Sequence, residues 1–85
     1  MLANTQVNNS TATVYTCPSG HSAFVFVDIA SNSGSSVSFT ISVNSTLYWT
    51  GSTNFISAKL VLNSGDTISV STTSIVNVFV HGQVI

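Results

Sequence analysis

Charged side chains are nearly absent from this sequence. Lys59 is its only Lys or Arg, and Asp28 and Asp66 are its only acidic residues. Ordinary soluble domains contain about a quarter charged residues, whereas this chain contains 4%. A protein that binds nucleic acid needs several Lys or Arg to contact the phosphates, and polybasic attachment to a membrane needs the same residues. The composition therefore predicts neither a nucleic-acid partner nor a membrane partner.

Cysteine and metal-ligating residues are also scarce. Cys17 is the only cysteine, so no disulfide bond can form within the chain. The spacing of His21, His81 and the two aspartates matches no zinc pattern, and we expect no metal and no other cofactor. A domain of 85 residues buries a modest share of its surface, and such domains usually depend on a disulfide, a metal or a partner. With the first two disfavoured, we expect a homo-oligomer.

The few titratable groups argue against an enzyme. Acid–base catalysis needs two such groups to converge, with shifted pKa values. Asp66 follows a Ser-Gly pair and is interpreted as a turn residue that bonds to its own backbone. Asp28 alternates with apolar residues, so it needs a polar partner near an edge or an interface. His21 is expected in a solvated loop and His81 at a strand end, and Cys17 precedes a proline without any signature of a nucleophile.

No segment of signal-peptide or membrane-helix type is evident. Residues 1–13 are polar, and no stretch approaches the roughly 18 apolar residues of a membrane helix. A single cysteine is consistent with synthesis in a reducing cytosol. We therefore expect the chain to be made in a cytoplasm.

Hydroxyl and β-branched residues take the place of the missing charges. Ser and Thr supply 16 and 11 residues, and residues 36–44 are apolar at every odd position and polar at every even one. This period of two is typical of strands with one wet face, and good helix formers are scarce. Seven strands are predicted, at residues 12–17, 22–31, 36–44, 46–50, 55–63, 66–72 and 76–84.

Turn residues separate these strands at short, regular intervals. Gly, Asn or Pro lies in the gaps at residues 18–21, 32–35, 51–54 and 64–65, where these residues accommodate the tight backbone. The pattern predicts an all-β fold, namely an antiparallel two-sheet β-sandwich of jelly-roll-like form with about seven to eight strands. We expect a single domain at residues 11–85, preceded by a flexible N-terminal arm at residues 1–10.

Two of the predicted strands are apolar on both faces. In residues 23–29, Phe24 and Phe26 alternate with smaller apolar residues, and Phe79 does the same in residues 76–80. Only one face of a sandwich strand contacts the core, so the three phenylalanines are predicted to point outward. Contiguous exposed apolar side chains usually mark an interaction site. We favour a subunit interface at Phe24, Phe26 and Phe79. The alternative is that curled strand ends bury them within one subunit.

Adjacent aromatic residues at positions 48 and 49 suggest a second kind of contact. Exposed Tyr and Trp rings can stack on sugars, so Tyr48 and Trp49 are candidate glycan-stacking residues. Neighbouring residues of a strand face opposite ways, so at most one of the two can lie in the core. For Trp49 we favour the role of a core or interface anchor over that of a sugar platform.

Four segments combine turns and strands in a characteristic order. Residues 13–20 contain Tyr-Thr-Cys-Pro-Ser-Gly, residues 23–34 form a long strand that enters an Asn-Ser-Gly turn, residues 60–68 contain Leu-Asn-Ser-Gly-Asp, and residues 76–85 form a closing strand. This order resembles small β-sandwich modules of bacteriophage virion structural proteins, especially those of phages that infect marine cyanobacteria and related marine bacteria. The resemblance spans residues 12–85. The sequence differs in the long strand, where the modules often carry a charge and Phe24 and Phe26 stand here.

The resemblance implies a structural protein of a virion. Such modules occur within tail fibres and tail-associated proteins, and as free-standing head or tail subunits. Because this chain shows no stalk or coiled-coil segment, we expect a capsid decoration (cement) protein that binds the major capsid protein or other virion proteins and stabilises the head shell. Decoration subunits commonly form trimers, so a trimer is the favoured oligomer. The alternative is a tail-fibre or tail-associated module that binds a host surface glycan.

Overall fold

A computed structural model describes every residue from Met1 to Ile85, and it contains strands and turns only. This agrees with the abundance of β-branched residues and the alternation of apolar and polar positions. The predicted all-β class is confirmed. The six strands are β1 (Ala3–Thr16), β2 (Ala23–Ser31), β3 (Val37–Val43), β4 (Thr46–Thr53), β5 (Phe55–Leu62) and β6 (Thr67–Val84).

All six strands belong to one antiparallel sheet that is organised around β6. β1 pairs along one side of β6 over most of the length of both strands. The other side of β6 is shared, because β3 pairs with residues 68–72 and β2 pairs with residues 76–84. β4 extends the sheet beyond β3, and β5 extends it beyond β2. We name these two parts the β3 half and the β2 half.

The two halves meet at an irregularity in the pairing of β1 with β6. Asn8 pairs with Ile75, but Ser10 pairs with Thr72, and Asn9 between them has a φ of 44°. Bulges of this kind bend a strand and increase its twist. Thr72 is buried at this point, and its hydroxyl donates a hydrogen bond of 2.9 Å to a backbone carbonyl of β3. The bend lets the sheet curl without leaving a buried polar group unpaired.

One apolar core joins the inner faces of both halves. Fifteen buried residues form a single cluster, with members from β1, β2, β3, β5 and β6. In the β2 half they include every second residue from Ala23 to Ile29, and in the β3 half they include Phe39 and Ile41. Alternation along each strand places these side chains on one face of the sheet. The curl of the sheet brings the two inner faces onto the same core.

The strand count and the sheet arrangement differ from the prediction. The segments predicted as separate strands at 66–72 and 76–84 are one continuous strand of 18 residues, β6. Residues 73–75, Thr-Ser-Ile, interrupt the alternation of apolar and polar positions, yet they continue the strand through the bend. Because β1 and β6 run through both halves, the structure has one curled sheet of six strands rather than two sheets with seven to eight strands.

The N-terminal segment also differs from the prediction of a flexible arm at residues 1–10. Residues 3–10 are part of β1 and pair with β6, beginning with Ala3 opposite Val80. Val7 anchors this part of the strand, since only 1% of its surface is exposed. The other side chains here are mostly polar, so the alternation that marks half-buried strands is weak. Backbone hydrogen bonds to a long neighbouring strand hold the segment in place.

Candidate functional site

The outer surface of the β2 half carries a group of exposed apolar side chains. We name as the aromatic face the outward side chains of β2, β5 and the second part of β6. Exposure is 50% for Phe24, 44% for Phe26, 54% for Phe55 and 63% for Val61, whereas Phe79 is partly buried. The register joins these strands side by side, with Phe24 opposite Val61. Phe24, Phe26 and Val61 are therefore neighbours on one surface, and Phe55 lies farther along the same face, opposite Ala30.

Alternation in β2 explains why the phenylalanines point outward. Ala23, Val25 and Val27 occupy the inward positions and are fully buried, which leaves Phe24 and Phe26 on the opposite side of the strand. The prediction that these two rings lie outside the core is confirmed. Curled strand ends do not bury these two rings within the subunit, as the alternative required. That a second subunit covers these rings stays a prediction.

A histidine–aspartate pair lies within the aromatic face. His81 Nε2 lies 2.7 Å from Asp28 Oδ2, and the Phe26 ring stacks on the imidazole with ring centroids 5.5 Å apart. Ser57, which is opposite Asp28 in the register, and His81 hold the pKa of that carboxyl below its usual value. Asp28 thus has the polar partner that the sequence required of it. His81 lies inside β6 rather than at a strand end.

The sequence analysis did not predict this pair, because its members are 53 residues apart. Their meeting follows from the pairing of β2 with β6, where Phe26 lies opposite His81 and Asp28 opposite Phe79. Register is fixed by the core-facing side chains of both strands. An acid in β2 and a histidine in β6 on matching outward positions was the only signal available.

The outer surface of the β3 half has a different chemistry. Most of its outward side chains are hydroxyls that bond to one another across neighbouring strands, and we name it the hydroxyl face. Thr40 and Thr50 oxygens lie 2.9 Å apart, and Ser38 and Ser52 oxygens lie 2.6 Å apart. The remaining members are Thr11 with Ser71, at 2.8 Å, and Thr13 with Ser69, at 3.4 Å. None of these side chains carries a charge.

The two aromatic residues proposed for glycan stacking differ in their burial. The Trp49 ring packs against Phe39 with centroids 5.1 Å apart and is partly buried against the core. Tyr48 is 48% exposed and is the unpaired residue of a bulge in β4, between Leu47 and Trp49. The structure therefore places Trp49 in the role of a core anchor and leaves Tyr48 as the exposed ring.

No known family model, curated protein or solved structure matches this chain. The resemblance to phage modules therefore depends on the segments quoted above. The structure contains no helix that could span a membrane, and no three His, Cys, Asp or Glu side chains gather into a possible metal site.

The remaining titratable groups lie apart from both faces. The Cys17 thiol is buried and donates to the backbone carbonyl of His21 at 3.4 Å, not to the imidazole. The His21 ring is within 3.1 Å of the carbonyl of Ile85. Asp66 accepts a 2.8 Å hydrogen bond from the backbone of Asn63, as expected of a turn residue. These three groups are therefore dispersed, each in contact with the backbone of a turn or a chain end.

Proposed function

We propose that this chain is a structural protein of a bacteriophage virion, a capsid decoration protein that binds and stabilises the head shell. The observation that carries the proposal is the aromatic face, since a monomer in solution gains nothing from half-exposed phenylalanines. The segment order that resembles phage modules supplies the setting. The sandwich-like, jelly-roll-like form of those modules would correspond here to the curled sheet closed over one core.

The partner that we propose for the aromatic face is a second copy of this chain. The face contains Lys59 and Asp28, one base and one acid on neighbouring strands, so symmetric copies can bring opposite charges together. A chain with 4% charged residues offers little electrostatic resistance to self-association. Burial of apolar surface contributes roughly 25 cal/mol per Å², and each symmetric copy repeats that contribution. We propose a trimer, as in decoration proteins, with Phe24, Phe26 and Phe79 in the contact.

The decisive experiment measures the mass in solution by light scattering coupled to size exclusion. The parent protein is expected at three times 8.9 kDa, and Phe26→Asp is expected at the monomer mass because it places a carboxylate in the apolar contact. Val61→Asp, on the exposed edge of the same face, is a second test if Phe26→Asp folds poorly. Thr50→Asp, which adds the same charge to the hydroxyl face, is the matched control and should leave the trimer intact.

Two results would contradict the interface. One is a monomeric parent protein at all concentrations, and the other is an oligomer that survives both Phe26→Asp and Val61→Asp. Electron cryomicroscopy of particles that contain the protein tests its location. Density on the shell at three-fold positions supports decoration, whereas density on the tail supports the alternative of a tail-associated module.

That alternative has one structural observation in its favour. Tyr48 is exposed beside a surface of hydroxyl groups, which is an arrangement that can contact sugar. We retain it as the second candidate function, a tail-fibre or tail-associated module that binds host surface glycan. Glycan binding that depends on Tyr48, together with a tail location, would favour it over decoration.

A further inference from the structure

A shallow groove crosses the hydroxyl face where β3, β4 and β6 lie side by side. Its volume is about 170 Å³, and it is lined by Phe39 and by six hydroxyl residues, Ser38, Thr40, Thr50, Ser71, Thr72 and Thr73. We propose that this groove, together with Tyr48, is a binding site for a neutral saccharide. This proposal names the ligand class for the second candidate function, the tail-associated module that binds glycan. It does not depend on the decoration role or on the aromatic face.

The hydroxyl pairs leave the groove able both to donate and to accept hydrogen bonds. Each Ser or Thr hydroxyl has one proton to donate and two lone pairs to accept. In the pair Thr40–Thr50, one proton is used between the partners, so the pair retains a second proton and several lone pairs. Thr11–Ser71 has the same surplus. Sugar hydroxyls also donate and accept at once, so paired hydroxyls match them better than carboxylates or ammonium groups, which do only one of the two.

The size of the groove fits one sugar ring. A volume of about 170 Å³ would hold roughly five waters at about 30 Å³ each, which is the size class of a monosaccharide. The groove is open, so the rest of a longer glycan chain could continue over the face. Displacing loosely held waters from hydroxyl walls that can replace their hydrogen bonds has a small enthalpic cost.

Tyr48 supplies the apolar contact that hydroxyls lack. Tyr48 lies two residues before Thr50, a wall residue of the groove, at a bulge in β4 between Leu47, which pairs with Ser42, and Trp49, which pairs with Ile41. Tyrosine offers a flat apolar ring with a polar tip, and the ring can lie against the C–H face of a sugar. In the free chain, 48% of this residue is exposed, so it is available for such a contact.

The absence of charge from the face sets the class of saccharide. Lys59 lies in β5 of the other half, and Asp28 is paired with His81 there. Asp66 is engaged by Asn44 and by the backbone of Asn63. With no cation at the groove, a uronic or sialic acid would lose hydration of its carboxylate without gaining a partner. We therefore assign the site to neutral sugars.

The test is a titration of the ¹⁵N-labelled protein, followed by NMR, with D-glucose, D-galactose, N-acetyl-D-glucosamine and, as the charged comparison, D-glucuronic acid. At least one neutral sugar is expected to shift amide signals of β3, β4 and residues 67–73, and glucuronic acid to shift them at least tenfold more weakly. Tyr48→Ala should weaken binding about tenfold. Phe55→Ala, which removes an exposed ring from the other half, is the matched control and should leave binding unchanged.

Thr40→Val and Thr50→Val remove hydroxyls with little change of shape, and together they provide a second test if Tyr48→Ala is unstable. The proposal is overturned if no neutral sugar shifts these signals, if the shifts map to the β2 half, or if neither Tyr48→Ala nor the threonine pair weakens binding. Light scattering of Tyr48→Ala should give the mass of the parent protein. Failure of sugar binding thus leaves the oligomer of the proposed function standing, and failure of the oligomer leaves the sugar site standing.

Discussion

Asn44 connects two turns at one end of the molecule. Its side-chain nitrogen donates to Asp66 Oδ1 at 2.9 Å, and its side-chain oxygen accepts from the backbone nitrogen of Thr67 at 2.9 Å. This residue has a φ of 51°, a conformation that Asn tolerates better than most residues. The hydrogen bonds from Asn44 and from the Asn63 backbone hold the pKa of Asp66 below its usual value. Asp66 thus stabilises the fold in its ionised form.

The first prediction concerns acid and the variant Asn44→Asp. Because the folded-state pKa of Asp66 is lowered, its contribution to stability is complete above the unfolded value of about 3.9 and is lost as the pH falls through the folded value. Asn44→Asp keeps the acceptor for Thr67 but replaces the donor with a second carboxylate. This variant should melt at a lower temperature than the parent at pH 7, and the difference should shrink as the pH approaches 4.

The control for this prediction is Asn54→Asp, which adds the same charge in the turn between β4 and β5. Its melting temperature should follow that of the parent across the same pH range. Calorimetry from pH 7 to acid measures all three proteins. A deficit of Asn44→Asp that stays constant or grows toward pH 4 would show that repulsion between the two carboxylates is not the cause.

Among the strands, β1 is the one whose role in the structure differs most from the sequence prediction. Val7→Ala removes two buried carbon groups from the core and is expected to lower the free energy of unfolding by about 2 kcal/mol. Asn8→Ala, the next residue and an exposed one, should change it by less than about 0.5 kcal/mol. Urea unfolding measures both variants. Equal, negligible effects would support the flexible arm and contradict the strand.

β6 passes close to the backbone of β2 at Gly82. Gly82 has a φ of 147°, and a Cβ there would overlap the carbonyl oxygen of Phe24. Gly82→Ala therefore adds a backbone collision to backbone strain, and we expect it to lower the free energy of unfolding by at least about 3 kcal/mol. Gly34, with a φ of 81° and open space around it, is the control. Gly34→Ala should lower the free energy of unfolding by the backbone strain alone, about 1–2 kcal/mol. Urea unfolding measures both variants, and equal decreases would refute the collision at Gly82.

These elements show which parts of the fold the sequence could predict. β2 and β3 were predicted within two residues at each end, because a regular alternation of apolar and polar residues marks a strand with one wet face. The outward position of Phe24 and Phe26 followed from the same alternation. β1 was missed in its first part because its side chains are polar on both faces. The continuity of β6 was missed because the alternation of apolar and polar residues breaks at residues 71–76, where pairing with β1 continues on both sides of the bend.

The candidate sites were predictable to different degrees for a related reason. A single strand is enough to show which side chains share its face, so the phenylalanines of β2 could be found. The hydroxyl face and the pair His81–Asp28 need the order and register of several strands. Ser and Thr are abundant throughout the chain, so no local pattern separates those of the hydroxyl face from those in turns. These sites form only when strands that are far apart in the sequence pair, and no single segment shows which strands those are.

For the whole molecule, the order of the strands predicts slow folding. Ala3 pairs with Val80, and β2 and β3 both pair with β6, so most pairings join distant segments. Loop closure must precede such pairings, and β proteins of this kind refold in about milliseconds to seconds. Trp49 reports on the event because its ring packs against Phe39 only in the folded core. Stopped-flow fluorescence measures the rate, and refolding within microseconds would contradict this expectation.

The contrast between the two outer faces has a practical consequence for handling the protein. One half of the surface exposes phenylalanine rings and the other exposes mainly hydroxyl groups, so a single subunit is amphiphilic, as a surfactant is. Such a particle should collect at the boundary between air and water, with its rings toward the air. Thin films prepared for microscopy would then contain isolated subunits in one dominant orientation, and assembly that covers the rings should restore random views.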